Sequence, residues 1–274
     1  MLKRAALLLG VSPFLLLPAL TRAEAPLLPP PEGFDARRDN VERGKVETVE
    51  YDSKATGGKR KMVIYTPPGF SKDRKYPVLY LLHGAGDNET GWQKKGSADV
   101  ILDNLYADKK AVPMIVVMPN GFALPPGETD RRKSVFEDDL LTNVIPYVES
   151  HYPVRADAGH RAVAGLSMGG GQALRIGLKH LDTFAWVGGF SSGLGRGGRA
   201  ADLVPGAEQA KKLRLLWVSC GDKDRLMPAS KGLHESLEAK KVPHVWIIDK
   251  GGHTWPVWKN DLYLLSQMLF RDEK

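Results

Sequence analysis

Cysteine is almost missing from this sequence: Cys220 stands alone in 274 residues. A single thiol excludes an intrachain disulfide and any cysteine-built metal site. Stability must therefore come from a buried core. Cys220 follows an apolar run and reads as a buried, inert thiol. Blocks of like charge are scarce too. The net charge is +7, yet the basic residues are scattered, with Lys94-Lys95, Arg131-Arg132-Lys133 and Lys240-Lys241 as small clusters. Nothing tracks a nucleic-acid backbone, which excludes nucleic acid as an expected partner. Internal repeats are absent, and no break inside residues 40–274 divides the chain into two domains. A long apolar run occurs once, at the N-terminus.

That run carries its own message. Lys3 and Arg4 precede a mostly apolar stretch from Ala5 to Leu20, and Ala23-Glu24-Ala25 supplies small residues for cleavage. Residues 1–25 thus read as a secretory signal peptide. The alternative, an uncleaved anchor, suits the run less well, because Ser12, Pro13 and Pro18 interrupt a stretch already short for a span. Cleavage would remove three cations and one anion and leave +5. The expected location is secreted or periplasmic, with no stable membrane insertion afterwards. Residues 26–44 begin proline-rich and read as a linker or N-terminal extension, and residues 45–274 as one domain.

What is present is a regular alternation. Residues 46–51 and 61–65 are β-rich around a Thr56-Gly57-Gly58 turn, an antiparallel pair for a sheet edge. Residues 77–82 and 114–118 are continuous apolar runs of the kind central parallel strands carry. A helical stretch over 100–106 separates them. Ser134 and Glu137 form a capping box for an amphipathic helix bearing Phe136, Leu140, Val144 and Val148 on one face. Strand-like runs at 184–187, 213–218 and 245–248 alternate with helices, the last bearing Trp258, Leu262, Leu265 and Leu269. The fold class is α/β: a mainly parallel central sheet with helices on both faces and an antiparallel N-terminal edge.

Within that frame, a short buried strand from His160 runs into Gly165-Leu166-Ser167-Met168-Gly169-Gly170. Gly-x-Ser-x-Gly between a strand and a helix is the pattern of a nucleophile elbow. With 29 glycines a chance match comes easily, and Gly189-Phe190-Ser191-Ser192-Gly193 is a second one. Context separates them. Leu174, Leu178 and Leu181 follow Ser167 at helical spacing, whereas Ser191 is followed by a glycine-rich run that nucleates no helix. Ser167 is the candidate nucleophile and Ser191 a loop decoy.

A serine hydroxyl needs a base, and the base needs an orienting carboxylate. In such sheets functional groups gather beyond the carboxyl ends of the strands. Of 7 histidines, His253 follows the 245–248 strand directly on a Gly251-Gly252 loop. His151, His160, His180 and His234 read as structural, and His244 sits at the wrong end of its strand. For the carboxylate, Asp222 and Asp224 compete beyond the 213–218 strand; Asp224 lies deeper in the loop and Asp222 suits a turn. The oxyanion donors are expected to be the Met168 N–H and the Ala85 N–H, with Gly84 as the alternative to Ala85. His83 reads as a brace for that loop. Trp92, Trp255 and Trp258 lie on or near these loops as candidate substrate contacts, packing being the default for a tryptophan.

Leu82-His83-Gly84-Ala85-Gly86, Gly165-Leu166-Ser167-Met168-Gly169-Gly170, Gly221-Asp222-Lys223-Asp224 and Gly251-Gly252-His253, with Val117-Met118-Pro119-Asn120-Gly121 and Val257-Trp258-Lys259, together resemble the esterase-D-like α/β-hydrolases. Within these the chain is most similar to carbohydrate esterase family 1, the feruloyl and acetylxylan esterases. The resemblance runs from about residue 45 to the end. It implies an α/β-hydrolase fold, a Ser-Asp-His triad carried here by Ser167, Asp224 and His253, and no metal or organic cofactor. It also favours Asp224 over Asp222.

The expected activity is hydrolysis of feruloyl or acetyl esters on hemicellulose, a substrate that suits an exported protein better than the S-formylglutathione of cytoplasmic members. Acyl transfer to a sugar, as in the related mycolyltransferases, is a second enzymatic reading. A catalytically silent carbohydrate-binding protein on the same fold is a third. The sequence assigns no oligomeric state.

Overall fold

The structure, a computed structural model, describes residues 28–194 and 200–271. The expected signal segment 1–25 and the glycine-rich run 195–199 lie outside the described residues. Strands β1 (Lys45–Ser53) and β2 (Gly58–Thr66) pair antiparallel, with Lys45 opposite Thr66 and Ser53 opposite Gly58. Then come β3 (Val78–Leu82), β4 (Ile115–Pro119), β5 (Arg161–Leu166), β6 (Trp186–Phe190), β7 (Leu215–Gly221) and β8 (Val245–Asp249). They form one eight-stranded sheet in the order β1-β2-β4-β3-β5-β6-β7-β8. β2 meets β4 antiparallel, and the pairs from β4 to β8 are parallel. This is the expected parallel sheet with its antiparallel N-terminal edge.

Eight α-helical segments fill the crossovers: α1 (Gly91–Lys94), α2 (Ala98–Ala107), α3 (Phe136–Asp139), α4 (Ile145–His151), α5 (Ser167–Lys179), α6 (Ala207–Ala210), α7 (Met227–Ala239) and α8 (Trp255–Met268). Because side chains alternate across a strand, each apolar strand feeds two cores. Tyr80 and Leu82 of β3 join Val163, Val187 and Val218 beneath α3, α4, α5 and α7. Leu79 and Leu81 join Val116, Ala164 and Trp217 beneath α2 and α8.

Three local expectations change. The helix over 136–151 does bury Phe136, Leu140, Val144 and Val148 on one face, but Leu140–Val144 is a π turn. Pro146 has no N–H to offer the carbonyl four residues earlier, so the ladder widens there. The capping box does not form as expected. Ser134 Oγ accepts from the Phe136 N–H at 3.3 Å, while Glu137 turns to Lys179 and His180. Strands β6 and β7 also start two residues later and end three residues later than the apolar runs suggest.

The segment ahead of β1 is tied to the body. Asn104 on α2 donates to the Phe34 and Ala36 carbonyls, each at 2.9 Å. Arg38 returns a bond to Asn104 at 3.0 Å and pairs with Asp108 at 2.9 Å. Asp35 pairs with Lys259 of α8 at 2.8 Å, and Phe34 meets Tyr263 edge to face.

Candidate active site

The carboxyl ends of β3, β5, β7 and β8 deliver the four loops that matter. Ser167 sits at the turn from β5 into α5 with φ +52°, a left-handed conformation rare for a side-chain-bearing residue. Its neighbours explain the glycines. A Cβ on Gly165 would lie 2.7 Å from the Gly169 backbone, and one on Gly169 would lie 2.5 Å from the His83 carbonyl. Only backbone fits where the elbow crosses β3. The turn is held from behind by the Gly193 N–H, which donates to the Ser167 carbonyl at 2.7 Å.

His253, on the loop between β8 and α8, places Nε2 2.8 Å from Ser167 Oγ. Its Nδ1 lies 2.8 Å from Asp224 Oδ2. Asp224 comes from the loop after β7; its side chain is fully buried, and its other oxygen accepts the Leu226 N–H at 2.8 Å. Burial pushes that carboxyl up. The Leu226 N–H, the adjacent Ser191 hydroxyl and His253 outweigh it and hold the group below the usual carboxylate range. Asp222 does something different. It accepts the Gly251 N–H at 2.8 Å and so anchors the glycine loop on which His253 rides.

His83 braces the opposite wall. Nδ1 bonds the Gly84 carbonyl at 2.8 Å, and Nε2 accepts the Gly121 N–H at 2.9 Å. That pair of contacts needs the neutral ring protonated on Nδ1. Burial, which pushes the His83 pKa down, favours the same form. The Gly84 carbonyl also accepts from Asp87 N–H. A planar trans peptide points its N–H opposite its carbonyl. With the Gly84 carbonyl engaged inside the loop, the Ala85 N–H points away from that carbonyl, and Ala85 lines both of the clefts described below. The Met168 N–H, in the first turn of α5, has no helical acceptor four residues back.

A family profile described as "Putative esterase" matches residues 53–266. The chain belongs to this esterase family. It is 32% identical over 252 residues to an endo-1,4-β-xylanase/feruloyl esterase of Xylanibacter ruminicola, a match covering 88% of this chain and 33% of that one. The chain thus spans about a third of that relative. An acetyl esterase of Caldicellulosiruptor saccharolyticus is 25% identical over 226 residues, covering 69% of this chain and 82% of the relative. Among solved structures, a CE1 ferulic acid esterase from Anaeromyces mucronatus in complex with ferulic acid superposes with a TM-score of 0.78 at 27% identity. That match covers 88% of this chain and 96% of the other.

Two clefts of the chain meet at Ala85. One, about 740 Å³, runs over Phe122, Met168, Gln172 and Arg175. The other, about 540 Å³, holds Ser167, His253, Trp255 and Trp258. The three tryptophans therefore part company. Trp255 is half-buried in the second cleft. Trp258 is buried and stands edge to face with His253. Trp92 is a correction: it lines neither cleft, is 1% exposed, and donates Nε1–H to the Leu82 carbonyl at 2.9 Å. It packs beneath the β3 loop.

Ser191 lies, as expected, in the loop just after β6, but it is fully buried there, with φ +45° and its hydroxyl beside Asp224. The glycine run after it masked that position in the sequence. Elsewhere, His180 bonds Glu137, His160 bonds Asp157, and His234 bonds His244, as structural histidines do. Cys220 is buried, and burial pushes its thiol pKa up. Among the described residues no group of three or more His, Cys, Asp or Glu is arranged to hold a metal ion, and no helix is long and apolar enough to cross a membrane.

Proposed function

We propose that this esterase is an exported serine carboxylesterase that removes feruloyl or acetyl groups from xylan-type hemicellulose. The reading rests on the unbroken line from Ser167 Oγ through the His253 ring to Asp224, with 2.8 Å at each junction. In this mechanism His253 takes the Ser167 proton as the oxygen attacks the ester carbonyl. The Ala85 and Met168 N–H groups hold the oxyanion. Asp224, kept ionised, fixes the imidazole and stabilises its charged form. His253 then protonates the departing sugar hydroxyl, and water, activated by the same ring, releases the acid from the acyl-enzyme.

Substrate class follows from the relatives, whose names include feruloyl esterase and acetyl esterase. The half-buried face of Trp255, beside His253, suits stacking on a sugar of the leaving group. Export rests on the N-terminal pattern of residues 1–25; residues 26–44 then form an extension and 45–274 a single esterase domain. The test is hydrolysis of methyl ferulate, 4-nitrophenyl acetate and acetylated xylan by the wild type, Ser167→Ala and Ser191→Ala. Ser167→Ala is expected to lose at least about 10⁴-fold in kcat. Ser191→Ala, which removes one neighbour of Asp224, is expected to stay within about tenfold. Equal losses, or a more severe loss at Ser191, overturn the assignment of the nucleophile.

A further inference from the structure

The larger cleft has an apolar floor and a cationic wall. Phe122, Met168, Phe136 and Ile176 supply the floor, and Arg131, Arg132 and Arg175 the charge. Among the described residues two of those three cations form no ion pair, although the charge of Glu137 is felt at Arg175. Arg132 is paired with Asp130 at 2.6 Å. The carboxylate in the wall, Glu137, is engaged by Lys179 and His180 at 2.6 and 2.8 Å. Arg131 lies over the Phe122 ring, 4.5 Å from its centre. Arg131 and Arg175 make no ion pair among the described residues, and both are exposed to solvent in the cleft.

The direction of the cleft is set by α5. Met168, Gln172, Arg175 and Ile176 fall at helical spacing on one face of it. Eight residues separate Ser167 from Arg175, which is about 12 Å along the axis at 1.5 Å per residue. The cleft therefore leads from the proposed oxyanion donors to an unpaired guanidinium two turns away. It does not include His253. A leaving alcohol must receive its proton from His253 and so departs through the other cleft, which leaves this one for the acyl group.

We propose that the cleft along α5 is an acyl site selective for acids that carry a second, anionic group at their far end: an apolar body over Phe122 and Met168, with a distal carboxylate between Arg131 and Arg175. Guanidinium groups recognise carboxylates through paired N–H donors, and the apolar floor excludes a merely charged small acid. This inference rests on the serine-esterase chemistry proposed above and adds, to the neutral feruloyl and acetyl acids named there, a class of anionic acids that the cleft prefers. The reaction itself is unchanged: the Ser167–acyl bond forms as the alcohol leaves with the His253 proton.

The test compares methyl 4-carboxycinnamate with methyl 4-methylcinnamate, rigid esters that differ in the distal charge. The readout is the ratio of their kcat/KM values in the wild type, Arg131→Gln, Arg175→Gln and the double variant. The wild-type ratio is expected to favour the anionic ester by about twentyfold, each single variant to lower the ratio by about fivefold, and the double variant to bring it near unity. On the unmodified protein, raising salt from low ionic strength to 1 M is expected to erode the ratio as the charges are screened. A wild-type ratio at or below one, or a ratio insensitive to both salt and substitution, overturns the inference. Turnover of 4-nitrophenyl acetate with neither cinnamate cleaved also overturns it while leaving the esterase reading intact. Failure to turn over 4-nitrophenyl acetate and methyl ferulate sinks the esterase reading itself.

Discussion

The indole of Trp258 stands edge to face with the His253 imidazole, ring centres 4.9 Å apart and planes 85° from parallel. Trp258 begins the inner face of α8 and is 6% exposed, so the helix that closes the fold also fixes one side of the histidine. Trp258→Ala is expected to destabilise by about 3–5 kcal/mol through the cavity it leaves, and to lower kcat as the imidazole gains freedom. Trp258→Phe keeps an aromatic wall and should retain most activity. Thermal unfolding and 4-nitrophenyl acetate kinetics on both variants check this; a fully active Ala variant would remove Trp258 from any positioning role.

The two aspartates after β7 separate by function. Asp224→Asn keeps the shape but not the charge facing Nδ1, and kcat is expected to fall by about 10⁴-fold. Asp222→Ala removes the acceptor of the Gly251 N–H, a single exposed bond worth about 1 kcal/mol, and kcat should fall by no more than about tenfold. Comparable losses in the two variants would return the choice between them to the open state the spacing left it in.

Two helical glycines make a matched pair. A Cβ on Gly171 in α5 would lie 1.9 Å from the Gly193 carbonyl oxygen, while one on Gly232 in α7 would meet nothing within 4 Å. Alanine in a helix is favoured over glycine by about 1 kcal/mol. At Gly232 that gain stands alone, and Gly232→Ala should raise the denaturation midpoint. At Gly171 overpacking of about 1–3 kcal/mol or more outweighs it, and Gly171→Ala should lower the midpoint. Chemical denaturation of both variants reads the signs directly.

Asp261 of α8 is fully buried, and that burial, helped by the charge of Asp249, holds its carboxyl well above the usual range against opposing contributions from Ser219 and Trp217. The folded protein therefore keeps a proton that the unfolded chain releases above its ordinary value near 3.8. Stability is then lost as pH rises from that value toward the folded one. Asp261→Asn is neutral at every pH, so its melting temperature should exceed that of the wild type at pH 8 and converge on it near pH 4. A difference that stays constant across that range would show that Asp261 is not protonated in the fold.

Some of this was legible in the chain and some was not, for identifiable reasons. The elbow shows through because sterics allow only glycine at positions 165 and 169, so geometry leaves a spacing in the sequence. Strand ends at β6 did not, because Gly188 and Gly189 lie inside a buried strand without contributing an apolar side chain. Trp92 and Trp255 look alike as letters, yet their ring centres lie 5.3 Å apart with one at the bottom of the packing and one at its surface. The attachment of Phe34, Asp35 and Arg38 depends on partners from 66 positions away, Asn104 for Arg38, to 224 or more, Lys259 for Asp35 and Tyr263 for Phe34, beyond any local pattern. Pro146 was visible, but only the neighbouring carbonyl ladder reveals that it widens a turn instead of ending the helix.

Ser167 and Ser191 close adjacent strands, and both sit at positive φ, +52° and +45°. Each such residue holds about 1–3 kcal/mol of conformational strain that the surrounding packing must overcome. Glycine at position 167 would relieve that strain and give a sturdier protein with no chemistry. The nucleophile is thus kept against the grain of thermostability: drift or screening that rewards robustness alone would tend to erase it, and a stabilised descendant of this chain should be checked first at that one backbone angle.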